Sequence, residues 1–246
     1  MATLPRSVEI RRPVVWVNGA SRGIGKEIAK QFAQIGCEVC LSSRSLKHVS
    51  RVSKEIIELG GRAHPFKCDS SRLQEISSTV KRIEKKFGRI DVLVNNAGLT
   101  VFKSFLETTV DETNAILDTN LRGPMLCIKS VLPGMVKRKS GWIINILSFA
   151  ALKTFEKSGV YTATKAGMLG FGKVLREETR LHNIKVVTVM PGATDTEMWN
   201  KQFRKKHSHR MMTPQSVAET VLALYQLPDD VVVDEIALRP MMGDID

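Results

Sequence analysis

Residues 13–36 read Pro-Val-Val-Trp-Val-Asn-Gly-Ala-Ser-Arg-Gly-Ile-Gly-Lys-Glu-Ile-Ala-Lys-Gln-Phe-Ala-Gln-Ile-Gly. The opening Pro13–Gly19 is a compact apolar run that stops at a glycine. Beyond it Ile24, Ile28, Ala29, Phe32 and Ile35 recur at helical spacing until Gly36 ends the pattern. A strand, a glycine turn and a helix thus follow one another with no linker. Gly19, Gly23 and Gly25, set around Ser21, Arg22 and Ile24, keep Cβ atoms out of the turn. A pyrophosphate can then approach the helix N-terminus, where unpaired N–H groups favour an anion. A glycine-rich turn means little alone; the strand–turn–helix setting is what gives this one content.

The same alternation continues outward. Residues 38–43, 63–69, 90–98, 142–148, 184–192 and 231–238 read as strands, and 46–59, 72–87, 110–137, 159–181 and 214–226 as helices. A break or kink is expected at Gly123-Pro124. Parallel strands need helical crossovers, so this order predicts an α/β fold. We expect one domain over residues 1–246, a doubly wound parallel sheet of about seven strands with helices on both faces. Ligands of such sheets lie beyond the carboxyl ends of the strands.

Composition excludes several classes. With 43% hydrophobic and 25% charged residues the chain is neither disordered nor collagenous. Its 37 basic against 25 acidic residues give a net charge of +12, which attracts polyanions. No DNA- or RNA-recognition motif accompanies that charge, and the cations are spread through the helices, so no nucleic-acid partner is expected. No apolar run approaches the roughly 20 residues of a membrane span, and the start MATLPRSVEIRR lacks the apolar core of a secretory signal. A cytoplasmic protein without a membrane partner is the expectation. Cys37 and Cys40 have C-x-x-C spacing but no second pair, and Cys68 and Cys127 stand apart, so buried thiols and no metal site are expected.

The remaining motifs carry chemistry. Tyr161-Thr162-Ala163-Thr164-Lys165 puts a phenol and an ammonium on one helix face at i and i+4. A phenol titrates near 10, and a cation one turn away stabilises its anion. Bringing it to about 7 takes roughly 4 kcal/mol. Ser148 closes the strand of residues 142–148, where a hydroxyl can donate to a substrate oxygen that gains negative charge. The strand at 38–43 runs into Arg44 with no acid between Val39 and Lys47. A carboxylate there accepts from the ribose of NAD; Arg44, with Arg22, instead suits a 2′-phosphate and favours NADP(H).

With its G-x-x-x-G-x-G turn, Asn95-Asn96-Ala97-Gly98 and the Tyr161/Lys165 pair, the chain resembles the short-chain dehydrogenase/reductase family over about residues 11–240. The resemblance implies a single-domain Rossmann fold and a catalytic set of Asn120, Ser148, Tyr161 and Lys165. Asn120 would kink its helix and hold a water against the lysine. Asp69 would bond the adenine amino group, or cap the following helix. Asn96, Ala97 and Gly98 would let the cofactor pass, and Tyr161 and Lys165 would also contact it. Pro191, Gly192, Thr194 and Thr196 would hold the nicotinamide carboxamide. Residues of about 196–213 would form a lid, with Met198, Trp199 and Phe203 closing an apolar pocket with Phe149, Leu152 and Phe155. Its basic stretch 201–210 either meets the substrate or is simply solvated.

The implied activity is NADPH-dependent reduction of a ketone or 3-oxoacyl-type carbonyl, as in 3-oxoacyl-(acyl-carrier-protein) reductases, in a homodimer or homotetramer. The tail Val231–Asp244 departs from those reductases in lacking their Gly-Gly ending. Two other readings stand beside this one: an NAD-dependent alcohol dehydrogenase working oxidatively, and a dinucleotide-binding regulator without turnover.

Overall fold

The computed structural model describes residues 11–245. The stretch MATLPRSVEI, read above for a secretory signal, lies outside the described residues, as does Asp246. Seven parallel strands form one sheet: β1 (Val14–Asn18), β2 (Glu38–Ser43), β3 (Arg62–Lys67), β4 (Val92–Asn95), β5 (Gly141–Ile146), β6 (Ile184–Pro191) and β7 (Glu235–Leu238). Their spatial order is β3-β2-β1-β4-β5-β6-β7. The order reverses at β1, which pairs with both β2 and β4. A crevice must open there, because the chain leaves the two neighbouring strand ends in opposite directions.

The helices are α1 (Gly23–Gln34), α2 (Leu46–Glu58), α3 (Leu73–Phe87), α4 (Val110–Leu117), α5 (Gly123–Arg138), α6 (Gly159–Thr179), α7 (Lys201–His207) and α8 (Pro214–Tyr225). All five residues of β1 are buried, as a central parallel strand covered on both faces requires. Val15 and Val17 face a core that includes Phe32 of α1, Val49 of α2 and Val221 of α8. Trp16 faces the opposite core, with Ile83 of α3, Ile128 of α5 and Met168 of α6. Local chemistry sets the ends. Gly88, in the left-handed region at φ 80°, closes α3 by donating its N–H to the Glu84 carbonyl. Thr109 and Glu112 cap α4 reciprocally.

Toward the carboxyl ends the apolar strands turn polar in one row. Ser42, Asn18, Asn95, Asn145 and Thr188 are register neighbours across five strands, all buried. Ser42 accepts from the Trp16 indole, and Asn95 donates to Asn145 at 3.0 Å. This row marks where the packed sheet gives way to the site.

Two elements differ from the sequence expectation. Residues 110–137 break where expected, α5 beginning at Gly123, but the break is a π-helical turn at Asp118–Arg122 that the sequence does not announce. Pro124 sits in the first turn of α5, where a missing N–H costs nothing. Within 196–213 the chain folds a short helix, α7, that apolar periodicity does not announce.

Phe32 is fully buried and meets Tyr225 edge-on, with ring centroids 5.1 Å apart. Phe32→Ala should cost about 3–5 kcal/mol, measured as a fall in the urea midpoint at unchanged slope.

Candidate active site

The glycine turn is built by close approach. Gly19 has φ 80°, and a Cβ there would lie 2.6 Å from the Ala97 backbone. A Cβ on Gly25 would collide with the Asn96 amide and the Gly19 carbonyl. Asn96 fixes the contact by donating its side-chain N–H to the Gly19 carbonyl at 2.8 Å. The turn after β1 and the Asn95–Gly98 segment after β4 thus lock across the crevice. The first turn of α1 carries no acid, and no side chain caps it. Its leading N–H groups are left for another acceptor.

The crevice beside this turn is lined by Gly19, Ser21, Arg22, Gly23, Ile24, Arg44, Asp69, Asn96, Ala97, Gly98 and Thr196, which the sequence singled out. Asn18, Cys68, Ser70, Leu99, Thr100, Thr119, Glu197 and Met198 complete it. Arg22 and Arg44 are both exposed and, among the described residues, neither is held in an ion pair. Asp69 accepts from the Ser71 N–H and hydroxyl, so it closes a local turn rather than capping α3, whose N-cap is Arg72. An uncapped helix start, glycines that a Cβ would displace and two unpaired guanidinium groups fit a phosphorylated dinucleotide.

Ser148, Tyr161 and Lys165 lie beyond this lining, on the β5 side. Ser148 follows β5 and accepts from the Ala150 N–H at 3.1 Å. Its hydroxyl is near enough to Tyr161 to favour the ionised phenol, the two being drawn together from different elements. Tyr161 is 9% exposed and Lys165 4%. The Lys165 Nζ donates to the Ile146 carbonyl at 3.3 Å and lies 5.5 Å from the Tyr161 ring centroid. Burial pushes the Tyr161 phenol above its ordinary value, and the nearby Ser148 hydroxyl opposes that. Lys165 is brought down to about 8 by burial. Desolvation outweighs the pairing that i and i+4 spacing alone suggests.

Asn120 joins the two halves. The π-helical turn carries it inward, where it is 1% exposed. It accepts from the Leu99 N–H at 2.8 Å, donates to the Leu99 carbonyl at 2.7 Å and donates to the Thr164 hydroxyl at 3.3 Å. The amide thus joins the crevice wall to α6.

Pro191 ends β6, and Gly192, the next residue, donates to the Leu238 carbonyl. Thr194 accepts, at its carbonyl, from the Trp199 indole at 3.1 Å. The segment from Thr196 leaves and returns through a parallel bridge between Thr194 and Met212. Its aromatic residues do not pack as expected. Trp199 stacks on Phe102 at 5.1 Å and on Phe203 at 4.7 Å. Phe149 and Phe155 instead lie under Arg239 and Lys153. Phe102, on the connection after β4, carried no sequence signal, since a lone aromatic in a loop has no period. Among the described residues no His, Cys, Asp or Glu cluster of metal-binding size occurs.

A family profile described as short chain dehydrogenase matches residues 13–207. The chain belongs to the short-chain dehydrogenase/reductase family. It is an NAD(P)H-dependent oxidoreductase of that family. The short-chain dehydrogenase is 33% identical over 240 residues to an uncharacterised oxidoreductase of Staphylococcus saprophyticus, covering 95% of this chain and all of the relative. It is 32% identical to a sepiapterin reductase of Chlorobaculum tepidum, over 94% and 98% of the two chains. A metagenomic short-chain oxidoreductase solved with NADP superposes with a TM-score of 0.83 at 32% identity, over 93% of this chain and 97% of that one. An actinorhodin polyketide ketoreductase variant solved with NADPH gives 0.88 at 29%, over 95% and 98%. Among the described residues no helix is long and apolar enough to cross a membrane.

The lowered Lys165 value has a measurable consequence. Between about pH 8 and 10.5 the unfolded lysine holds a proton that the native one has lost. Native stability from this group therefore rises with pH across that window and is lost as pH falls toward 8. Subtracting the urea stability of Lys165→Met from that of wild type at each pH should give a difference that climbs from pH 8 to 10.5. A flat difference excludes the burial effect.

Proposed function

We propose that the protein is an NADPH-dependent carbonyl reductase that converts a ketone or 3-oxoacyl-type substrate to an alcohol. The observation that carries this reading is the gathering of Ser148 and buried Tyr161 and Lys165, the Lys165 Nζ standing 5.5 Å from the Tyr161 ring centroid. When bound, NADPH supplies the hydride. The crevice residues from Gly19 to Gly25 would hold its pyrophosphate, Arg44 and Arg22 its 2′-phosphate, and Asp69 its adenine. Asn96, Ala97 and Gly98 would let it pass, and Pro191, Gly192, Thr194 and Thr196 would hold its carboxamide. Relatives and neighbours named as reductases, with NADP or NADPH bound in two solved neighbours, support the choice.

The substrate oxygen then meets two hydroxyls. Ser148 donates to it as charge develops, and Tyr161 delivers the proton. Burial serves this direction: a phenol pushed upward is protonated at neutral pH, so the acid is loaded before reaction. Lys165 retains a proton at pH 7 and lies close enough to stabilise the phenolate left behind. Asn120 acts through structure, setting α6 against the crevice wall. The reverse reaction needs Tyr161 ionised, which burial opposes. The 196–213 segment acts as a lid over the substrate side.

Two measurements test the reading, both following NADPH loss by absorbance with a panel of acyl thioesters, diketones, quinones and sugars. Tyr161→Phe should retain NADPH affinity and lose roughly 10²–10⁴ in turnover; near wild-type rates refute the proton-donor role. Arg44→Ser should lower the kcat/KM preference for NADPH over NADH by about 10–150-fold, the worth of a charge-assisted contact. An unaltered preference removes Arg44 from the 2′-phosphate site.

A further inference from the structure

Trp199 is held from two sides of the crevice. Its indole N–H donates to the Thr194 carbonyl at 3.1 Å, and its backbone N–H donates to the Thr196 carbonyl at 3.2 Å. In the reductase reading these two threonines hold the nicotinamide carboxamide, so the indole is braced on the stretch that orients the reacting ring. From the opposite side Phe102 stacks on the indole, with ring centroids 5.1 Å apart and planes 7° from parallel. Phe203 also stacks on it, at 4.7 Å, but belongs to the same excursion and cannot fix it to the body. Phe102 can, because it lies on the connection after β4.

That connection is itself pinned. Asn120 bonds both the N–H and the carbonyl of Leu99, and the Lys103 N–H donates to the Lys157 carbonyl at 3.0 Å. Phe102 lies between these two anchors. Met198 repeats the crossing one residue before Trp199, its Cε methyl lying 3.8 Å from where a Cβ on Gly98 would stand. Phe102 is 48% exposed and packs in neither hydrophobic core. Among the described residues Trp199 is the ring it meets. What this side chain supplies is therefore the stack, and little of the core.

We infer that Phe102 is a positioning residue for the nicotinamide end of the cofactor: through the Trp199 indole it holds the Thr194–Thr196 stretch against the Gly98 wall. The inference deepens the reductase reading and rests on it for the identity of the ligand. It separates the two ends of the dinucleotide, because Arg22, Arg44 and the glycine turn take no part in the stack. Two ligands that share the adenine end test it: NADPH, and 2′-phosphoadenosine diphosphate ribose, which lacks the nicotinamide. By titration calorimetry, Phe102→Ala should weaken NADPH about fivefold, within the worth of an aromatic pair. Affinity for the fragment should stay within about 1.5-fold. Phe102→Tyr keeps the ring and should restore NADPH affinity. In a Trp199→Ala background Phe102→Ala should add little, since the two act through one contact.

An unchanged NADPH affinity in Phe102→Ala overturns the inference. So does an equal loss for both ligands, which marks a general loosening of the crevice. Wild-type protein that binds neither ligand sinks the cofactor reading instead. Acrylamide quenching of the ligand-free protein then decides the structural part: Phe102→Ala should raise access to the share of emission that Trp199→Phe removes, and unchanged access shows that Phe102 does not hold the indole.

Discussion

A Cβ atom at Gly19 or Gly25 has nowhere to go, because Asn96 and Ala97 already occupy the space. That exclusion sets the geometry of the whole candidate site. Two loops leave neighbouring strand ends at the point where the strand order reverses, and they touch backbone to backbone. The contact forces α1 to begin uncapped at the crevice floor, and it places the Asn95–Gly98 segment as the opposing wall. From that wall Asn120 reaches into α6, and α6 carries Tyr161 and Lys165. The dinucleotide half and the chemical half are thereby joined through hydrogen bonds to Leu99 and Thr164.

Electrostatics in the chemical half follow from burial more than from pairing. An ammonium and a phenol one turn apart would attract if both ionised, yet each is nearly closed off from water. Taking either charge out of solvent costs more than the partner returns at the observed separation. Burial thus favours a neutral phenol and a reluctantly charged lysine. Ser148 is the group that eases the phenol toward ionisation.

Most of the architecture was legible because strand and helix periods alternate cleanly and every motif lies at a strand end or helix start. The glycine turn, the Asn-Asn pair and the Tyr161/Lys165 spacing are local patterns, and local patterns survive in sequence. What escaped was long-range. The π-helical turn at Asp118–Arg122 has no residue signature; it exists because Asn120 finds Leu99 21 positions away. The Phe102–Trp199 stack joins segments 97 residues apart, and a ring in a loop does not declare its partner. Asp69 read as either cap or adenine ligand, and its turn with Ser71 settled only the capping alternative. The contact between Asp244 and Lys153 was invisible for the same reason, the two standing 91 positions apart.

The same stack gives the molecule an optical asymmetry. Trp16 is sealed beneath the sheet, and Trp142 lies in a partly covered position against Lys185 and Tyr225. Trp199 follows Met198 of the crevice lining and stacks on Phe102 and Phe203. Its emission therefore reports on the crevice rim, while that of the other two indoles reports on the sheet.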